Sequence, residues 1–369
     1  MKILFTSHLL DLSGAPRSLL NLIESTPIEH ERHCVAFYGG PLENRFREIC
    51  ISLCILSDRP KLSKVTRLLD KIIGAFKFFV LLMKLRPDVV LINTAASFRA
   101  QILCFALRIP YVVYVREFDE MIDDGLLLFR KKALCLANHI IAVSTANSEW
   151  ARKCGVRSSD ITIIHNGIFR DKIYELSIQR KSRLSYISNE IIKIGICGSM
   201  SYRKGFDIFI AAAANLLKEN KNIRFFIIGD YEENNISFRQ KCIAEINKLN
   251  VDEYFQFTGF LENPYPEIRD LDILCMPSRQ ESLPRVVMES VCLQIPVVAF
   301  NVGGTQELLP PNYPYLIDEV ELSSFCRTLR AAILSNNNEE LKLSFAKLGS
   351  EFNQATTMEK VCIVLDKIK

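Results

Sequence analysis

The sequence predicts an α/β fold made of two doubly wound, Rossmann-like units facing a cleft. Its 369 residues are 49% hydrophobic and 24% charged, an ordinary folded balance at about 100–200 residues per domain. Its apolar residues fall in short continuous runs, not alternating ones. Helix-like stretches separate successive runs. Strands buried on both faces read as unbroken apolar runs, which is the condition of a parallel sheet covered by helices on each side.

In the first half the runs are KILFT at 2–6, HCVAFY at 33–38, DVVLIN at 88–93, YVVYV at 111–115, HIIAVS at 139–144 and ITIIHN at 161–166. The polar stretch Arg170–Glu190 lacks an apolar period and is expected to link the units, giving domains 1–185 and 186–369. From Lys193 the grammar restarts. A strand at 194–197 precedes a helix at 204–217, a strand at 223–230, a helix near 238–249 and a strand at 254–260. Strands at 273–276 and 296–300 follow, with a helix from about Pro284 between them. The final segment, about 355–369, has an apolar face at Val361, Ile363, Val364 and Ile368, and is expected to close the chain as a helix that packs back on the first domain. No repeat or low-complexity segment interrupts this order.

Composition excludes several classes. Twelve cysteines include Cys34, Cys104, Cys197, Cys275 and Cys292 singly inside apolar segments, and no CxxC pair occurs, so the thiols read as reduced core residues of a cytoplasmic protein. The N-terminal MKILFTSHLLDL is broken by polar residues and reads as a strand, not a signal peptide. The stretch Phe76–Leu85 is too short and too charged to span a bilayer.

Net charge is +4, yet residues 1–190 hold 27 of the 46 basic and 19 of the 42 acidic side chains. Much of that excess lies in 59–86, where Lys61, Lys64, Arg67, Lys71, Lys77, Lys84 and Arg86 interleave with bulky apolar residues. Two readings fit: a surface helix with a solvated basic face, or an amphipathic helix in peripheral contact with an anionic membrane. Nucleic acid is not an expected partner, because aromatic-plus-basic clusters are missing.

In open α/β sheets ligands sit beyond the carboxyl ends of the strands. Gly14, after the first strand, permits close approach to the backbone, but neither SGAPRS nor GICGSM forms the GxGxxG of a dinucleotide-binding oxidoreductase. Arg203 and Lys204 fall at an expected helix start, where cations oppose the helix dipole unless an anion such as a diphosphate is bound. Glu281 and Glu289 are spaced E-x7-E. Glu245 and Glu253 share that spacing by accident, so context distinguishes the first pair: one glutamate after a strand and a Pro-Ser turn, the other a turn into a helix. Asp270-x-Asp272 precedes a strand and reads as a connector, so no metal site is expected.

The segment PSRQESLPRVVMESVCLQIPVVAFNVGGTQEL resembles the donor-site signature of the family 4 glycosyltransferases, retaining enzymes of GT-B fold. The resemblance extends over most of the chain: the Gly14 loop, AVSTANSEW, HNG at 165–167, RKG at 203–205, IIGD at 227–230, FTGF at 257–260 and the Gly303-Gly304 pair. It implies that Glu281 holds donor-sugar hydroxyls, that Ser282 and Leu283 present backbone amides, and that Glu289 takes the ribose. Lys204, with Arg203, would bind the diphosphate and steady the leaving group. Gly259 and Phe260 would lie beside the base, and Gly14 would face the donor from the other domain.

Three positions depart from the family pattern. Ser199 stands where many relatives have arginine, a charge that Arg203 would supply from nearby. Ser282 replaces a glycine. Arg116-Glu117 occupies the place of a histidine, so Arg116 would stabilise negative charge, bind an acceptor phosphate, or simply pair with Glu117 at the strand end. The implied activity is transfer of a sugar from a nucleotide-diphosphate donor to a sugar or lipid-linked glycan acceptor at the inner face of the membrane, as in bacterial surface polysaccharide or glycolipid synthesis, with no cofactor. A non-catalytic sugar-nucleotide-binding subunit and a sugar-nucleotide epimerase of the same fold are the alternatives.

Overall fold

The computed structural model describes residues 1–57, 64–118, 127–230, 235–335 and 339–369. Lys61 and the side chains of Lys64, Arg67 and Lys71 lie outside the described residues. The chain divides into two compact units, Met1–Ile168 with Asn353–Lys369, and Phe169–Phe352.

The first unit runs β1 (Lys2–Leu9), α1 (Gly14–Glu24), β2 (Glu31–Tyr38), α2 (Glu43–Ile49), β3 (Ser52–Ser57), α3 (Lys64–Leu85) and β4 (Val89–Ile92). It continues through α4 (Phe98–Ala106), β5 (Tyr111–Val115), α5 (Leu127–Leu134), β6 (His139–Ala142), α6 (Thr145–Lys153) and β7 (Ile161–Ile163). Among the described residues its sheet has seven strands in the order β3-β2-β1-β4-β5-β6-β7, all paired in parallel. Strand order reverses at β1, which pairs with β2 through Phe5↔Cys34 and with β4 through Phe5↔Leu91. One buried cluster joins Leu4, Val90 and Val113 of the sheet to Phe78 and Leu82 of α3, Cys104 of α4, Leu134 of α5 and Ala151 of α6. These four helices therefore cover one face.

The second unit runs α7 (Arg170–Ile178), β8 (Ile192–Cys197), α8 (Phe206–Leu216), β9 (Ile223–Ile228), α9 (Ile236–Lys248), β10 (Phe255–Gly259) and α10 (Tyr265–Arg269). There follow β11 (Ile273–Met276), α11 (Arg285–Cys292), β12 (Val297–Phe300), β13 (Leu316–Ile317), α12 (Leu322–Leu334) and α13 (Glu339–Glu351). Among the described residues its six strands are ordered β10-β9-β8-β11-β12-β13, again parallel. The last helix, α14 (Gln354–Ile368), belongs with the first unit: Gln354 donates to Ser25 Oγ at 3.1 Å and the Thr26 hydroxyl meets Met358 Sδ at 3.7 Å.

Several sequence expectations need correction. The unit boundary falls at Ile168/Phe169, not at 185. The expected linker instead begins with α7, which packs on α10 and α11, and continues into a strap pinned by an ion pair. Arg180 forks onto the fully buried Glu267 with both contacts at 2.7 Å, and the Arg183 amide donates to the same carboxylate at 3.1 Å. Strands β3 and β13 were not foreseen: β3 is a half-exposed edge without a continuous buried run, and β13 is two residues long. The helix expected from Lys204 starts at Phe206, because Gly205 caps it in the left-handed region at φ +72°.

Candidate functional site

The site in the second unit assembles at the carboxyl ends of β8 and β11. After β8, Gly198 and Ser199 lead into a turn at Tyr202–Gly205 that precedes α8. A β-carbon at Gly205 would lie 1.9 Å from the Pro277 carbonyl oxygen, so this turn sits directly on the strand-end turn after β11. The close approach brings RKG and the first glutamate together.

Lys204 Nζ donates to Glu281 Oε1 at 2.6 Å, and Arg203 Nη1 lies 3.4 Å from the same oxygen. Arg203 also donates to the Gln280 carbonyl at 2.9 Å. Burial would raise the pKa of Glu281, but the charges of Lys204 and Arg203 and the Lys204 hydrogen bond outweigh it and hold the carboxyl below the ordinary glutamate value. Glu281 is thus an ionised, buried anion with two cations on one oxygen. The two cations stand just before the Gly205 cap of α8, still at the positive end of its dipole, and the carboxylate of Glu281 offsets that repulsion.

Sequence reasoning missed the clamp around this turn. Arg279 forks onto Asp207 at 2.8 and 2.7 Å, donates to the Tyr202 carbonyl at 2.6 Å and stacks 3.7 Å above the Tyr202 ring. Its own amide donates to the Arg203 carbonyl at 2.8 Å. Arginine suits the place because its planar fork can bind a carboxylate and lie on an aromatic face together. The sequence signal was the arginine two residues before Glu281.

Ser282 and Leu283 are buried beside Glu281, and the Ser282 carbonyl accepts from Gly304 N at 2.9 Å. Gly303 has φ +58°, and a β-carbon there would overlap the Glu281 carbonyl oxygen at 1.6 Å, so the Gly303-Gly304 pair lets two loops touch. Glu289, in α11, accepts from Arg285 at 3.2 Å and from Tyr265 Oη at 3.4 Å. It lies eight residues beyond Glu281, about one turn into α11, and is likewise buried. Gly259 ends β10 with φ +67°, and Phe260 behind it is 53% exposed, an apolar face open to a planar group. The Ser199 hydroxyl is buried without a hydrogen-bond partner. Asp270 and Asp272 are engaged by Lys193, through Nζ at 3.2 Å and the backbone amide at 2.7 Å, in keeping with a connector.

Two sequence-named residues stand in the first unit. Gly14 is the first residue of α1, after Ser13 at the helix cap. Arg116, directly after β5, is buried over the Tyr114 ring at 4.1 Å and donates to Asn93 Oδ1 at 2.9 Å and to Asn166 Oδ1. Glu117 accepts from the amides of Arg116 and Ala95 at 3.3 and 3.4 Å. Burial raises its pKa above the ordinary glutamate value, against the opposing hydrogen bonds from Thr94 and those amides and the Arg116 charge. The HNG motif has a packing cause: a β-carbon on Gly167 would lie 2.5 Å from the Cα of Gln354, at the start of α14.

Comparison with known sequences matches residues 12–172 to the family described as Glycosyltransferase Family 4 and residues 192–333 to that described as Glycosyl transferases group 1. The chain is 30% identical to the O-antigen biosynthesis glycosyltransferase WclY of Escherichia coli over 61% of each chain. It is 23% identical to the α-D-kanosaminyltransferase of Streptomyces kanamyceticus over 62% of this chain and 64% of that one. The chain spans between 36% and 65% of the length of the first curated relatives it matches. Among solved structures, Anabaena HepE in complex with UDP-glucose superposes with a TM-score of 0.84 at 19% identity, covering 100% of both chains. The apo lipopolysaccharide outer core galactosyltransferase WaaB superposes at 0.73, with 15% identity over 100% of this chain and 99% of that one. The shared architecture is GT-B.

Proposed function

Since the chain belongs to the family 4 glycosyltransferases, whose two domain models match its two halves, we propose that it transfers a sugar from a nucleotide-diphosphate donor to a hydroxyl of a glycan acceptor. The observation that carries this reading is the convergence of Lys204 and Arg203 on Glu281, with Glu289 in the helix that follows.

The chemistry follows from that convergence. Breaking the bond between anomeric carbon and phosphate leaves an oxocarbenium-like sugar and puts negative charge on the departing diphosphate. Two cations already carried by this turn can meet that charge once the diphosphate competes with Glu281 for them. A diphosphate entering the turn at Tyr202–Gly205 would draw Lys204 and Arg203 from Glu281, and the released carboxylate would accept the sugar hydroxyls. A carboxylate suits a diol because each oxygen accepts a charge-assisted hydrogen bond. Glu289, already ionically paired with Arg285, offers the same chemistry to a ribose. Anomeric retention, reaction without a cofactor and any part taken by Gly14 and Arg116 belong to this reading through the family.

The acceptor class proposed is a lipid-linked or surface polysaccharide precursor at a membrane, by analogy with the O-antigen enzyme. A thermal-shift panel of nucleoside diphosphates and their sugars tests the reading, since a ligand at 100 times its Kd stabilises by about 2.7 kcal/mol. A shift with one diphosphate and its sugar, followed by sugar transfer to an acceptor extract, is expected. No shift with any nucleotide would overturn it.

A further inference from the structure

The end of β10 is irregular. Its pairing with β9 shifts register between Phe257 and Gly259, so Thr258 is an extra residue left out of the ladder. Arg183, in the strap after α7, takes the Thr258 carbonyl, donating from Nη1 at 3.0 Å. Arg180 donates to the Asn263 carbonyl at 2.9 Å, and the Asn263 side chain donates to the Leu176 carbonyl of α7 at 2.9 Å. The fork of Arg180 on Glu267 fixes α10 in turn. One segment is thus gripped from the strap at 258, at 263 and at 267.

That segment carries surfaces assigned to the nucleoside. Gly259 and the exposed Phe260 follow Thr258 directly, and Tyr265 at the start of α10 donates to Glu289 Oε1 at 3.4 Å. α7 also packs on α10 and α11, the helices that bear Tyr265 and Glu289. The turn that bears Lys204 is held separately, by Arg279 and by its approach to Pro277. Stability alone gives little reason for the strap's construction, since replacing a buried ion pair with apolar groups is often neutral or stabilising. A fixed geometry is what the pair supplies, and a bulge beside a binding site re-aims the residues that follow it.

We propose that Arg180 and Arg183 are positioning residues for the nucleoside half of the donor: they hold residues 258–267 so that Phe260 meets the base and Glu289 the ribose. This deepens the donor reading, on which it rests, by assigning the strap to base and ribose and not to the diphosphate.

Arg180→Ala strands a buried carboxylate and destabilises the unit outright. The test therefore uses Arg183→Ala, at an exposed side chain, and Arg183→Lys, which keeps a donor for the Thr258 carbonyl. Calorimetry on the full chain measures UDP, GDP, ADP and CDP beside inorganic pyrophosphate. For the diphosphate that binds the parent, Arg183→Ala is expected to raise the Kd about tenfold, as for a segment that keeps its binding shape about a tenth of the time, with the pyrophosphate Kd unchanged. Arg183→Lys recovers most of the loss, and melting temperature stays at the parent value in both. Without ligand, hydrogen exchange in Arg183→Ala quickens at amides in 259–265 and not in 202–207. Equal losses for nucleotide and pyrophosphate, parent-like Kd and exchange in Arg183→Ala, or a Kd that simply follows melting temperature would overturn the proposal. If no nucleoside diphosphate binds the parent while exchange still quickens at 259–265, the donor reading falls and the strap's hold on the segment stands.

Discussion

Lys204 and Glu281 hold each other at 2.6 Å, so each substitution has two consequences. Lys204→Ala removes the cation for the leaving group and leaves a buried carboxylate with Arg203 alone; Glu281→Gln keeps the shape but drops the charge. Loss of one preorganised donor of this kind costs about 10²–10³ in kcat, the range expected for Lys204→Ala; Glu281→Gln, which removes the charged acceptor both cations share, is expected to lower kcat strongly as well. Glu289→Ala should chiefly raise the Kd for nucleotide by about tenfold, the worth of a charge-assisted hydrogen bond. Steady-state kinetics with calorimetry separates the two patterns; parent-like kcat in both Lys204→Ala and Glu281→Gln would remove these residues from the reaction. Arg279 touches neither anion and acts by holding the turn that carries Lys204. Arg279→Ala should lower kcat about tenfold through misplacement while the KM for donor moves little. Arg279→Lys, which keeps the charge but not the fork, should recover only part of the loss. If kcat falls in step with melting temperature, the clamp is merely structural.

At the scale of elements, Gly205 decides where α8 begins and how near its turn lies to β11. Alanine there must adopt φ +72° and place a β-carbon 1.9 Å from a carbonyl oxygen. Backbone strain and overpacking together are expected to cost about 3 kcal/mol or more, read as a lowered urea midpoint, with activity lost alongside. A stable, active Gly205→Ala would mean that the turn is not held against Pro277. The same glycine shows where sequence reading stops. Runs such as YVVYV announced buried central strands, because a parallel sheet needs no alternation there, and that located these strands along the chain and the candidate residues at their ends; the order of strands within each sheet was not read from them. The E-x7-E segment and RKG were readable as motifs. Their contact was not, since it depends on a tertiary approach of two strand-end turns. Arg170–Glu190 looked like a linker because its fixation comes from scattered tertiary contacts and not from an apolar period: α7 packs on α10 and α11, and Arg180 pairs with the buried Glu267, 87 residues away. Gly167 read as part of a motif, while its cause, the passage of Gln354, lies near the other end of the chain.

Over the whole molecule, the two units carry buried glutamates shifted in opposite directions, so they should answer acid with opposite signs. In the first unit, burial raises the pKa of Glu117. The folded form then binds the proton more tightly than the unfolded chain, so this residue costs stability above its raised pKa, and the cost vanishes as pH falls below the ordinary glutamate value. In the second unit, burial of Glu281 is outweighed by Lys204 and Arg203 and its pKa is lowered. Its contribution is present above the ordinary value and is lost as pH falls through the depressed one. Melting curves of Glu117→Gln and Glu281→Gln beside the parent between pH 7 and pH 3 measure both. Glu117→Gln should be more stable than the parent at pH 7, with the advantage fading toward pH 4. Glu281→Gln should be less stable at pH 7, and its deficit should persist to about pH 4 before closing. The fading of one difference at higher pH than the other is the signature of opposite shifts, and two differences that stay constant with pH would show that neither carboxyl is perturbed by its surroundings.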